Sequence, residues 1–124
     1  MTAKACACGT APKLIFPCSG AADVGAVADQ AARKLTKDGA GNMYCLAGIG
    51  GRVSGIMEST KAASRILAID GCPQECAAKT LRLAGFNTFE HIRLSELGLA
   101  KGKTPPTPEN IATVAAAGAK ALAC

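Results

Sequence analysis

Residues 65–70, Arg-Ile-Leu-Ala-Ile-Asp, run apolar at odd and even positions alike, and this constrains the fold more than any other stretch of the chain. A strand with one wetted face alternates apolar and polar residues. A strand apolar on both faces needs cover on both sides, as in a parallel sheet sandwiched between helices. Gly71-Cys72-Pro73 then breaks the run.

The segments around it repeat the same alternation. Lys13-Leu14-Ile15-Phe16 is a short apolar run stopped by Pro17, and it predicts a first strand. Val24, Val27, Ala28, Ala31 and Leu35 follow at helical spacing, in a helix expected from about Ala21. Asp29 and Arg33 form an i,i+4 pair on its outer side, and Gly39 suits the left-handed position just past its end. Residues 42–47 read as a second strand running into a Gly48-Ile49-Gly50-Gly51 loop. Residues 52–64 predict one or two short helices, with Ser54 as N-cap and Ile56 and Ala63 facing inward.

After the third strand, Pro73 suits the first turn of a helix, since its missing N–H is lost there without penalty. That helix is expected to face Cys76, Thr80, Leu81 and Ala84 inward and to stop at Gly85. Residues 88–93 form a weaker fourth strand, and Ser95-Glu96-Leu97 a helical turn. After the polar connector 101–106, Thr107-Pro108-Glu109 opens an alanine-rich last helix reaching about Ala123.

Strand and helix alternating in this way predict an α/β fold. The expected architecture is a small three-layer domain, flavodoxin-like or Rossmann-like. It has a four-stranded, mainly parallel sheet, helices on both faces and right-handed crossovers. Periodicity does not fix strand order, and 2-1-3-4 is adopted as the working order. Residues 1–12 are expected to form a flexible N-terminal tail, with residues 13–124 as a single domain. A chain of 124 residues suits one domain. Because aromatics are only 3% of the chain, its core must pack through small side chains.

The net charge of +5 comes from 14 basic and 9 acidic residues scattered along the chain. With no block of like charge and no RNP-like aromatic string, nucleic-acid binding is not expected. Neither an apolar leader at the start nor a run of about 18 apolar residues is seen, so no membrane association and a cytoplasmic location are expected. In that compartment the seven cysteines would not form a disulfide framework, and they point to metal or redox chemistry.

The positions of four of them are informative. Cys18 follows the first strand, Cys45 ends the second, Cys72 follows the third, and Cys76 lies one helical turn further on. In a parallel sheet all strand C-termini lie on one edge, where open α/β sheets place their ligands. Cys72 and Cys76 fall within the C-x₂₋₄-C spacing of zinc ligands. Four thiolates suit a closed tetrahedral zinc site. The amides of the 48–51 loop and the Arg52 side chain are candidates for balancing its charge. Taken alone, Cys45 in an apolar run reads as a small buried residue.

Other patterns are weaker. Gly48-Ile49-Gly50-Gly51 does not continue into G-x-G-x-x-G, and Gly20 to Gly25 is followed by Ala26 and Val27 rather than by the P-loop Lys and Ser or Thr. No Arg follows Cys18 within a phosphatase-like loop. His91, the one histidine, reads as structural. Asp70 is a candidate cap for the helix after it, and Asp23 reads as a first-turn acid. Cys6, Cys8 and Cys124 lie in the tails, as adventitious thiols or a metal-handoff pair.

Three segments together resemble the DGC-domain family. They are Pro17-Cys18-Ser19-Gly20-Ala21-Ala22-Asp23-Val24-Gly25, then 43–52 from Met43 to Arg52, then Ile69-Asp70-Gly71-Cys72-Pro73. The resemblance covers about residues 13–115. It implies a zinc-binding protein with metal ligands Cys18, Cys45, Cys72 and Cys76, and it implies no biochemical role. The residues leave other readings open. One is a thiol redox or group-transfer enzyme using Cys18 or Cys72 as nucleophile. Others are an iron–sulfur protein, and a carrier or sensor of a soft metal or metalloid.

Overall fold

The computed structural model describes residues 11–123. Four strands, β1 (Lys13–Pro17), β2 (Asn42–Met43), β3 (Arg65–Asp70) and β4 (Glu90–Arg93), form one sheet in the order β2-β1-β3-β4. Every pairing is parallel, with Ile15 opposite Leu67, Phe16 opposite Ala68, and Ala68 opposite His91. Both the α/β class and the adopted strand order are thus observed. The expected tail lies mostly outside the described residues. Ala11 and Pro12 are not loose, since both carbonyls accept from the Ser64 hydroxyl.

Side-chain parity sorts the core into two layers. Ile15, Leu67 and Ile69 pack with Val24, Val27, Ala28, Ala31 and Leu35 of α1 (Asp23–Lys37) and with Val114 and Leu122 of α5 (Pro108–Leu122). On the other face, Leu14, Phe16 and Ala68 pack with Ile49 of α2 (Leu46–Gly50) and with Ala77 and Leu81 of α4 (Cys76–Leu83). α3 (Ser54–Lys61) lies beside α2 and adds Ile56 and Met57 to the rim of that cluster. The small-residue packing expected from composition is literal at Gly118, where an added Cβ would come within 2.6 Å of the Leu35 side chain.

Several local expectations hold. The Asp29–Arg33 pair is formed at 2.7 Å, and Gly39 takes φ +83°. The Thr107 hydroxyl accepts the Asn110 N–H, with Pro108 opening α5.

Others are corrected. The second strand is two residues long rather than six, because Leu46 and Ile49 turn their apolar sides onto the sheet only if the chain coils into α2. The 48–51 stretch is therefore mostly helical. Its Gly48, Ile49 and Gly51 amides are taken by the carbonyls of Cys45 and Ala47 and are not spare donors for sulfur. Val53, not Ser54, caps α3, α1 starts at Asp23, and β4 starts at Glu90. Pro73 lies ahead of α4 rather than in its first turn, because a tight turn from Cys72 to Glu75 intervenes, closed by the Glu75 N–H on the Cys72 carbonyl. That delay rotates the helix so that Ala77, Ala78 and Leu81 face the core while Cys76 is exposed.

Candidate thiol and metal site

The C-terminal edge of the sheet is built by three βα turns. At the first, the Cys18 N–H continues the β1–β3 ladder by bonding the Ile69 carbonyl at 2.9 Å. Its Sγ accepts the Gly71 N–H at 3.3 Å. Cys18 is half-buried and touches both core layers, so it sits at the end of the sheet between them. Ser19 follows with φ +53°, and its hydroxyl donates to Asp29 at 2.8 Å.

Gly71 admits β3 to the start of α1. A Cβ there would lie 2.8 Å from the Val24 backbone. Asp70, only 1% exposed, reaches forward with both oxygens. It accepts the Ala77 and Ala78 N–H groups at 2.7 and 3.1 Å, and its Oδ2 pairs with His91 Nε2 at 2.8 Å. The expected cap is thus confirmed, and His91 is the side chain that backs it. Glu75 holds a left-handed conformation, φ +59° and ψ +46°, which few non-glycine residues adopt. Its carboxylate accepts the Arg93 Nε–H, and Arg93 also reaches Glu96 at 3.2 Å. The Arg93 hydrogen bond holds the Glu75 carboxyl below the usual carboxylate range, and the same bond raises the Arg93 guanidinium.

The third turn is made differently. The Tyr44 N–H bonds the Ile15 carbonyl at 2.8 Å, and Cys45 becomes the N-cap of α2, with an exposed side chain. Arg52, expected near the sulfurs, is instead spent on carbonyls of Ile49, Gly50 and Leu83.

Two cavities open on this edge and share Cys18. One, of about 460 Å³, has Cys18 and Cys45 in its wall with Tyr44, Leu46 and Thr80. The other, of about 280 Å³, is lined by Cys18, Cys72 and Cys76 with Asp70, Gln74 and Lys101.

Three sequence-distant segments thus meet on one edge, and they are the three that carry the family resemblance. The family model of the DGC domain matches residues 14–117. The chain belongs to the DGC-domain family. The Anaerobic and virulence modulator AnvM of Pseudomonas aeruginosa is 35% identical over 88 residues, which are 71% of this chain and 67% of that protein. No solved structure matches the chain.

In this DGC domain the donor set is chemically suited to a soft cation: four free cysteines on one edge. Their placement is looser than four ligands around one ion. Among the described residues, no group of three or more Cys, His, Asp or Glu side chains is disposed to hold a metal. Cys18 and Cys72 are half-buried, whereas Cys45 and Cys76 are exposed. Cys6, Cys8 and Cys124 lie outside the described residues. Among the described residues no helix is long and apolar enough to cross a membrane.

Two features left no sign in the sequence. Asp23 is more than a first-turn acid: it accepts the Gly102 and Thr104 N–H groups, both at 2.9 Å, and so ties the 100–104 loop to α1. That loop brings Lys101 to the thiols. A carboxylate and two amides about eighty positions apart leave no periodic signal, and a lysine in a polar connector looks like any solvated charge.

Proposed function

We propose that this DGC domain binds a soft metal ion, zinc foremost, through Cys18, Cys45, Cys72 and Cys76. The observation that supports it most is that Cys18 lies in the walls of both thiol-lined cavities, with Cys45 in one and Cys72 and Cys76 in the other. A single ion drawing the exposed Cys45 and Cys76 inward would join the two. Thiolate ligands give zinc apparent binding energies of about 10 kcal/mol or more, enough to drive such a rearrangement. The relative carries the name of a modulator. Carried over to this chain, that is a regulatory role, in which the site would report a condition such as metal supply or oxidant.

Elemental analysis of anaerobically purified protein, with its visible spectrum, tests the reading. About one zinc per chain and no colour are expected, and single Cys→Ser changes at each of the four positions should each lower occupancy. A brown protein assigns the thiols to an iron–sulfur cluster and overturns the zinc reading. Full zinc occupancy in all four variants overturns the ligand set.

A second reading, reversible thiol oxidation, is favoured by the meeting of Cys18, Cys72 and Cys76 in the wall of one cavity. A disulfide among these cysteines after mild oxidant, located by mass spectrometry, is its expected sign. Four thiols left unoxidised would remove it.

A further inference from the structure

The smaller cavity has a feature that metal binding does not use. Three thiols, Cys18, Cys72 and Cys76, share its wall with one cation, Lys101. The ammonium makes no ion pair among the described residues, and the loop that carries it is fixed. Asp23 takes the Gly102 and Thr104 amides, the Thr104 hydroxyl donates to the Ala100 carbonyl at 2.7 Å, and Thr104 is 1% exposed. Those amides hold the Asp23 carboxyl below its usual range, the Gly102 bond contributing most. Asp70, the carboxylate that also lines the cavity, is committed to the amides of Ala77 and Ala78 and to His91. The floor is made by close backbone contact: a Cβ on Gly25 would lie 2.5 Å from the Gly20 carbonyl oxygen.

We propose that this cavity receives low-molecular-mass disulfides bearing carboxylates, with Lys101 as the group that selects for negative charge. The proposal rests on the thiol chemistry of the same edge but not on metal. About 280 Å³ lies just below the usual range of cavities that enclose a whole small ligand. It suits one half of such a disulfide, with the other half projecting into solvent as the leaving group. A thiolate of Cys18, Cys72 or Cys76 attacks one sulfur of the incoming disulfide. A protein–ligand S–S bond forms as the original S–S bond breaks, and the displaced half departs as a thiolate that takes a proton from water. The protein sulfur is oxidised and the departing sulfur reduced, so no further oxidant is needed.

The test compares two probes on the reduced full chain with chelator present at low salt: glutathione disulfide, which is anionic, and cystamine, which is cationic. The wild-type chain should react faster with the anionic probe. One unit charge at close range changes such rates about fivefold in water, so Lys101→Glu, which alters the charge by two units, should lower the anionic-to-cationic rate ratio about tenfold or more. High salt should shrink the difference. Lys103→Glu changes the same loop by the same charge outside the cavity and should leave the ratio near the wild-type value. Mass spectrometry should find the adduct on Cys18, Cys72 or Cys76.

Equal ratios in wild type and Lys101→Glu, an equal drop in Lys103→Glu, or adducts confined to Cys45 would each overturn the proposal. Zinc occupancy of the same preparations separates the two ideas. A chain that takes no zinc but discriminates by charge keeps this proposal and loses the metal reading. A zinc-binding chain without charge preference does the reverse.

Discussion

The turn after β3 and the turn after β2 occupy the same edge of the sheet and carry cysteines to the same place, yet they are held by different means. The β3 turn is fastened by side chains: Asp70 on the first amides of α4, His91 behind Asp70, and Arg93 on the left-handed Glu75. The β2 turn is fastened mainly by backbone, through Tyr44 to Ile15 and the short ladder of α2; no side chain caps the N-terminus of that helix, and Arg52 holds the Ile49 and Gly50 carbonyls only at its far end. The difference assigns separate tasks to the thiols. Cys72 and Cys76 flank a turn held by buried side-chain hydrogen bonds, while Cys45 stands at a helix start that no side chain caps. The proposed ligand of all four would thus meet two differently built turns.

The largest expected effect is the removal of the fastening of the β3 turn. Asp70→Ala leaves two helix amides and the His91 ring without their partner in a buried place. At about 1–3 kcal/mol for each unmet group, a loss of about 3 kcal/mol or more in urea unfolding is expected. Cys45→Ala, by contrast, removes an exposed side chain and should stay within about 0.5 kcal/mol. Similar losses for the two variants would erase the distinction between the turns.

A smaller effect is expected where the β3 turn touches α1. Gly71→Ala puts a Cβ 2.8 Å from the Val24 backbone, which cannot yield as a flexible side chain would. Overpacking of this kind costs about 1–3 kcal/mol. The same substitution at Gly50 meets nothing closer than the Thr80 methyl at 3.9 Å and should be neutral or mildly stabilising, since helical glycine gains from a Cβ. Denaturation midpoints of the two variants make the check. A Gly71→Ala chain as stable as wild type would show that α1 and β3 are less closely locked than drawn.

How much of this could be read from the sequence follows the range of each interaction. The β3 run and the heptad-like spacing from Val24 to Leu35 are local patterns, and they announced the layers because burial imposes a period on neighbouring residues. The positions of Cys18, Cys45 and Cys72 at strand ends were legible for the same reason: parallel topology converts separate strand ends into one edge. The shortness of β2 is not legible because Tyr44 to Ala47 is compatible with strand or helix, and only packing of Leu46 and Ile49 on the sheet selects the helix. The exposure of Cys76 was hidden by the turn from Cys72 to Glu75. One added residue of turn rotates a helix by about 100°, which no spacing rule on the cysteines registers. Arg93 to Glu75 and Asp23 to the 100–104 loop are long-range polar contacts and leave no trace in periodicity.

The smallest effect concerns acid. The Glu75 carboxyl is held below the usual range, first by its hydrogen bond from Arg93. A carboxyl whose pKa is lower folded than unfolded lends stability that is fully present above the unfolded value, near pH 4, and is lost as pH falls through the folded value. As pH falls through that lowered value the Arg93 contact should therefore weaken, and Glu75 would be left in its left-handed conformation without the partner that keeps it there. Glycine adopts that conformation freely, so Glu75→Gly removes both the strain and the acid sensitivity. The measurement is the rate at which a disulfide reagent active in acid modifies Cys76 and Cys45, compared at pH 6 and at an acid pH well below the ordinary carboxylate range. In the wild-type chain Cys76 should gain reactivity relative to Cys45 on acidification, because its turn alone depends on a carboxylate. In Arg93→Met that gain should already be present at pH 6, and in Glu75→Gly it should be absent at both values. Parallel changes at the two cysteines in all three proteins would mean that the Arg93–Glu75 pair does not hold the turn, and that the contrast between the two turns rests on Asp70 alone.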